Sequence, residues 1–293
     1  MSRKKNQKKK SDKKNYHIGC IITIIVLIPV LYGLYLYLQQ PETLPSPPAK
    51  EVAIPATPVR QTMPTAEELA MPQMIVPRKE QIIHHTGYTV SYNENLRLPN
   101  WVAYELTRQE TQGNAQRTNR FISDPSVKGV IATNSDYARS GYDKGHMAPA
   151  ADMKWNGTAM KESFYFSNMC PQHPELNRRK WKDLEEKVRD WAIADSAIII
   201  ICGPIIEKAP QKIGKNKVTV PQKFFKVILS PFTASPKAIG FLFKNERSVS
   251  PLATYAVSVD SIETLTGMDF FSPLPDELEN RIESQVNSDQ WGL

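Results

Sequence analysis

Apolar and polar positions divide the chain into three regimes. Residues 18–38, IGCIITIIVLIPVLYGLYLYL, carry no charged side chain. As a helix rising 1.5 Å per residue they extend roughly 30 Å, the thickness of a bilayer's hydrocarbon core. Residues 39–77 then hold nine of the 23 prolines, no glycine and no hydrophobic period, which predicts a stiffened, largely disordered spacer. From Arg78 to Leu293 the pattern is that of a folded domain. Alternating and β-branched runs predict strands at Tyr88–Tyr92, Val130–Thr133, Ser163–Asn168, Ala197–Cys202, Phe224–Leu229 and Ala238–Phe243. Helices are predicted at Trp101–Gln109, from Glu175 to Ala194, and at Pro275–Ser284. Strands and helices do not alternate regularly, and the late strands follow one another at hairpin spacing. The domain therefore reads as α+β with mainly antiparallel pairing.

Charge sharpens this division. The chain has 293 residues and a formal charge of +7, and residues 1–16 hold eight Lys or Arg against one Asp. The basic excess thus belongs to the tail, and global charge says nothing about what the folded part binds. Placed before an apolar span, the basic tail (1–17) sets orientation by the positive-inside rule. The expectation is a single-pass membrane protein with a cytoplasmic N-terminus, a transmembrane anchor at 18–38 in the lipid bilayer, and a periplasmic or extracellular domain at 78–293. Tyr32, Tyr35 and Tyr37 crowd the far end of the span, as in an interfacial aromatic belt. A cleaved signal peptide is the alternative, but its apolar region is shorter and ends at a small-residue cleavage site. Cys170 and Cys202 lie in the domain, where an oxidising compartment permits a disulfide whose geometry the sequence does not give. No Cys/His cluster has zinc spacing.

Two stretches carry candidate chemistry. YDKGHMAPAAD, residues 142–152, places His146 after a glycine, either as a catalytic base or as a histidine in a turn. In FYFSNMCPQHPELNRRKWKDLEEKVRDWA, residues 164–192, Trp181, Leu184, Val188 and Trp191 recur at helical spacing and face the core. Asn177 and Glu185 flank Trp181 at minus four and plus four along one stripe, as solvated boundary residues or as inward-pointing site residues. They stand about 12 Å apart along the axis. Both cannot ligate one Mg²⁺ directly, so at most one binds and the other acts through water.

In order, SGYDKGHMAPAADM, FSNMCPQ and LNRRKWKDLEE resemble the DNA/RNA non-specific endonucleases, the endonuclease G-like ββα-metal nucleases. The resemblance covers nearly the whole domain and implies a ββα-metal nuclease fold, with a mainly antiparallel central sheet flanked by helices. It implies hydrolysis of phosphodiester bonds in DNA and RNA, contacted through phosphates, with Mg²⁺, Mn²⁺ or another divalent ion as cofactor. By the same resemblance His146 is the general base, Asn177 the direct metal ligand and Glu185 the carboxylate holding the metal's water shell. Asn168 supports the histidine and substrate, and Asp143 opens and positions the motif. Two positions depart from the family pattern. Lys144 stands where an arginine is usual, exchanging a planar fork for a point charge. Upstream, Arg117 and Arg120 compete for the role of a phosphate-facing arginine, and Arg120 is favoured by its place beside Phe121. A homodimer is compatible with this reading. A competing one is a membrane-tethered nucleic-acid receptor of the same fold without catalysis.

Overall fold

The computed structural model describes residues 63–293, together with Tyr32, Tyr35, Leu36, Leu38 and Gln39. Among the described residues no helix is long and apolar enough to cross a membrane. The expected basic tail, nearly all of the expected span and most of the linker lie outside them.

Regular structure begins ahead of Arg78, with α1 (Ala66–Leu69) and β1 (Gln73–Met74). The helix starts at a capping box, in which Thr65 and Glu68 satisfy each other's backbone N–H groups. There follow β2 (Gln81–His84), β3 (Thr89–Asn93), β4 (Leu98–Thr107), α2 (Asn134–Tyr137), β5 (Asp143–His146), α3 (Gly157–Glu162) and β6 (Met169–Gln172). The long helix α4 opens with a π-helical segment, Leu176–Trp181, and continues as an α-helix over Lys182–Asp195. Next come β7 (Ala197–Ile205), β8 (Lys212–Ile213), β9 (Val218–Thr219), β10 (Lys223–Ser230) and β11 (Lys237–Lys244). The chain closes with β12 (Ala256–Val257), α5 (Val259–Thr266), β13 (Met268–Asp269) and α6 (Asp276–Glu283).

Seven strands form one antiparallel sheet in the order β12-β11-β10-β7-β4-β3-β2. Its central strands bury side chains on both faces, which is why Ile198–Cys202 is a continuous apolar run. Ile198, Ile200 and Cys202 point to one layer with Trp181, Leu184 and Val188 of α4. Ile199 and Ile201 point to the other, with Val259, Ile262 and Ile282 of α5 and α6. β1 pairs with β13 beside that second layer.

Three predicted elements are corrected. Trp101–Gln109 is not a helix; Trp101–Thr107 belongs to strand β4 and Arg108–Gln109 to the turn after it. Trp101 and Ala103 pack in one layer and Val102, Tyr104 and Leu106 in the other, so burial on both faces hides the two-residue period. Val130–Thr133 is not a strand but leads into α2, whose capping box is Thr133 with Asp136. Ser163–Asn168 is a turn followed by one turn of 3₁₀-helix, and the strand starts at Met169. Cys170 and Cys202 are both buried and free.

Candidate active site

The DKGH stretch is strand β5, paired antiparallel with β6 so that Asp143 faces Gln172 and His146 faces Met169. Helix α4 packs across this two-stranded ribbon and is tied to both of its ends. Asn177 Nδ2 donates to Asp143 Oδ2 at 2.9 Å, and Arg178 forks onto the same carboxylate at 2.7 and 2.8 Å. One turn on, Trp181 Nε1 donates to the carbonyl of His146 at 3.2 Å. Burial opposes ionisation of Asp143, but the bonds from Arg178 and Asn177 outweigh it and lower its pKa. A carboxylate only accepts, so Asp143 fixes the Asn177 amide with its nitrogen toward β5. The Asn177 Oδ1 accepts no hydrogen bond among the described residues.

Ribbon and helix wall a cleft of about 650 Å³ lined by Arg117, Phe121, Tyr137, Lys144, His146, Asn177, Lys182, Glu185 and Arg189 among others. The imidazole of His146 packs edge-on against Phe164, with ring centroids 5.0 Å apart, and tilted against Phe121. Burial, with a smaller contribution from the Arg117 charge, lowers its pKa to about 3, so the ring is neutral at any physiological pH. The Lys144 ammonium lies 4.6 Å from the centre of the Phe121 ring and 5.8 Å from that of Tyr137. Arg117 stacks 5.0 Å over Phe164. Neither cation forms an ion pair among the described residues. Both charges remain free for an anion. Aromatic faces hold them without neutralising them.

Glu185 is half-buried in the cleft wall two turns beyond Asn177. Burial raises its pKa to about 7, moderated by Lys226 and Arg189 and reinforced by Asp152. Beneath it lies a buried polar network. Arg189 donates to Asp152 Oδ1 at 2.8 Å, and Tyr104 donates to Asp152 Oδ2 at 2.8 Å. Lys226 is fully buried on β10, its ammonium 4.7 Å from the centre of a Trp181 ring.

Residues 66–277 match the DNA/RNA non-specific endonuclease family. The chain belongs to that family. Its relatives include a nuclease of Nostoc sp., 34% identical over 213 residues, a match covering 69% of this chain and 77% of the relative. The mitochondrial nuclease EXOG of Mus musculus is 32% identical over 234 residues, 73% of this chain. The chain spans 64% of that relative's length. A chain in the crystal structure of the EndoG/EndoGI complex superposes with a TM-score of 0.66 at 29% identity, covering 74% of this chain and 96% of that one. The domain is thus an α+β nuclease acting on nucleic acids, as the ordered motifs implied.

Of the residues expected at the site, Asp143, Lys144, His146, Asn177 and Glu185 line one cleft. Two expectations change. The arginine in the wall is Arg117, not Arg120. Arg120 is exposed and makes no side-chain hydrogen bond or ion pair among the described residues, whereas Arg117 is held at the cleft by Phe164. Asn168 is fully buried and does not line the cleft. Its Nδ2 donates to the carbonyls of Ala148 and Ser163, both at 2.8 Å, and its Oδ1 accepts from Ala148 N–H at 2.9 Å. It supports the chain just after His146. Arg189 escaped the sequence reading, although the stripe Asn177–Trp181–Glu185 reaches it in one more step of four. Phe121 and Tyr137, the rings that hold Lys144, carry no sequence signal of their own.

Proposed function

We propose that the chain is a divalent-metal-dependent endonuclease that hydrolyses phosphodiester bonds of DNA and RNA with no sequence preference. The observation that carries this reading is the convergence, on one cleft, of a neutral, half-buried imidazole, an amide oxygen and two cations that have no partner among the described residues. Asn177 Oδ1 and the Glu185 carboxylate fit a hard cation that keeps part of its water shell, Asn177 binding directly and Glu185 through water. Mg²⁺ or Mn²⁺ held there supplies Lewis-acid stabilisation of charge on the phosphate and leaving oxygen. His146, neutral and seated against Phe164, takes the proton of the attacking water. Lys144 and Arg117 bind the phosphate from the opposite wall. Contacts confined to phosphate leave the bases unread, which accounts for low sequence preference.

Membrane attachment belongs to the same proposal and rests on the sequence of residues 1–38: a basic tail before an uncharged span, holding residues 78–293 outside the cytoplasm. The test is digestion of plasmid DNA and of RNA by the full chain with Mg²⁺, with Mn²⁺ and with EDTA, beside Asn177→Ala. Cleavage of both substrates that EDTA abolishes supports the reading. Undiminished cleavage in EDTA, or by Asn177→Ala at low Mg²⁺, overturns the metal assignment. Protease accessibility of the domain on intact cells tests the placement.

A further inference from the structure

The second sheet layer carries acidic residues that the nuclease reaction does not use. On α5, Asp260 and Glu263 are three residues apart and share a face; on α6, Glu279 and Glu283 are four apart and do likewise. One carboxylate oxygen from each of Asp260, Glu263 and Glu283 falls within 4.8 Å of the other two. An acidic cluster alone indicates nothing, but Glu283 is different in kind. It is only 3% exposed, and its Oε1 is buried without a hydrogen-bond partner among the described residues while its carboxylate is turned into the group. Glu279 Oε1 is likewise buried and unpartnered. No Lys, Arg or His among the described residues forms an ion pair with any of the four. Glu283 also ends α6, where the helix dipole disfavours negative charge.

We propose that Asp260, Glu263 and Glu283 form a Ca²⁺ site, separate from the catalytic cleft, that staples α6 to α5. Hard carboxylate oxygens select a hard cation. Ca²⁺ accepts about six to eight oxygen ligands in flexible geometry at about 2.3–2.6 Å, whereas Mg²⁺ demands a near-ideal octahedron and gives up its waters reluctantly. Carboxylates gathered from two separate helices suit the more permissive ion. Asp260 is exposed, which opens the site to solvent and to the waters that complete a Ca²⁺ shell. Among the described residues Glu279 and Glu283 thus each hold a buried carboxylate oxygen with neither a hydrogen bond nor a basic side chain beside it, a deficit that a bound dication fills. Glu279 and Glu283 lie beyond the segment 66–277 that matches the family.

Thermal unfolding of the full chain in EDTA and in millimolar Ca²⁺ tests this, for wild type, Glu283→Gln and Asn177→Ala. Saturating Ca²⁺ at about 100 times its dissociation constant is expected to raise the melting temperature by about 5 °C or more in wild type. Asn177→Ala keeps that increment, because the catalytic cleft is not its source, and Glu283→Gln loses it. Asp260→Asn, at an exposed position, provides the same reading if Glu283→Gln folds poorly. Calorimetry on Asn177→Ala counts one Ca²⁺ per chain. No increment in wild type, an equal increment in both carboxylate variants, or no Ca²⁺ bound to Asn177→Ala overturns the proposal. Glu283 is then simply a protonated carboxylic acid.

Discussion

Asn168→Ala leaves three buried backbone groups without their partners: the N–H and carbonyl of Ala148 and the carbonyl of Ser163. Each unsatisfied group costs about 1–3 kcal/mol, and partial hydration of the vacated space brings the total to about 3–5 kcal/mol. In a domain of this size that is a fall of about 10 °C in melting temperature. Asn168→Asp does no better. It keeps the acceptor for Ala148 N–H but sets an oxygen against two carbonyl oxygens where the amide nitrogen made bonds of 2.8 Å. Because Ala148 follows His146 by two residues, both variants also shift the imidazole, and kcat falls by about 10²-fold. KM changes by less than about threefold, since Asn168 is buried and does not line the cleft. Urea unfolding followed by circular dichroism, with steady-state cleavage of a labelled oligonucleotide, reads both quantities. A variant with wild-type stability but a raised KM would refute the reasoning, and would return Asn168 to direct substrate contact.

Gly145→Ala places a methyl group 2.7 Å from Gln172 Cβ and closer still to its amide oxygen. The loss is about 1–3 kcal/mol of stability, and Gln172→Ala, which removes the amide, recovers part of it; an unchanged melting temperature would show that the ribbon yields. Lys144→Met costs about 10²-fold or more in kcat/KM. Lys144→Arg keeps kcat within about threefold and lowers KM, because the guanidinium stacks on Phe121 and adds a fork for phosphate; a wild-type rate in Lys144→Met would remove the lysine from the mechanism. His146 has a folded pKa of about 3 against about 6.5 when unfolded, so below pH 6.5 the unfolded chain takes up a proton that the folded one refuses. The neutral ring's contribution is complete above pH 6.5 and drains away toward pH 3. His146→Leu therefore loses less stability than wild type between pH 6.5 and 4, and parallel pH profiles would contradict the burial argument.

The sequence made the site's chemistry legible because each functional group sits in a local pattern. Asn177 and Glu185 share a helix stripe with Trp181, and that tryptophan ties the helix to His146. What stayed hidden depends on contacts between distant segments. Arg117 reaches the cleft only because Phe164, more than forty residues on, offers its ring. No local pattern separates it from Arg120. The segment beginning at Trp101 reads as a helix because β4 is buried on both faces over Trp101–Tyr104, and only Glu105 and Thr107, at its end, show the strand period. Lys226, one lysine in the apolar run FFKVIL, was readable as an anomaly; that it lies under Trp181 depends on α4 crossing β10. The start of the fold was readable too. Thr65-Ala-Glu-Glu68 is a capping-box sequence, obscured by the prolines around it.

These contacts leave the imidazole walled by Phe164 and Phe121, which bears directly on how its loss can be compensated. His146→Ala opens a space of the shape of the base it removes. Single-turnover cleavage of plasmid DNA by this variant, with and without added imidazole, tests the central claim most directly. If His146 takes the proton from water, the variant loses about 10²–10⁴-fold in rate, and imidazole restores part of that loss in proportion to its neutral form. Full activity in His146→Ala without imidazole would contradict the account.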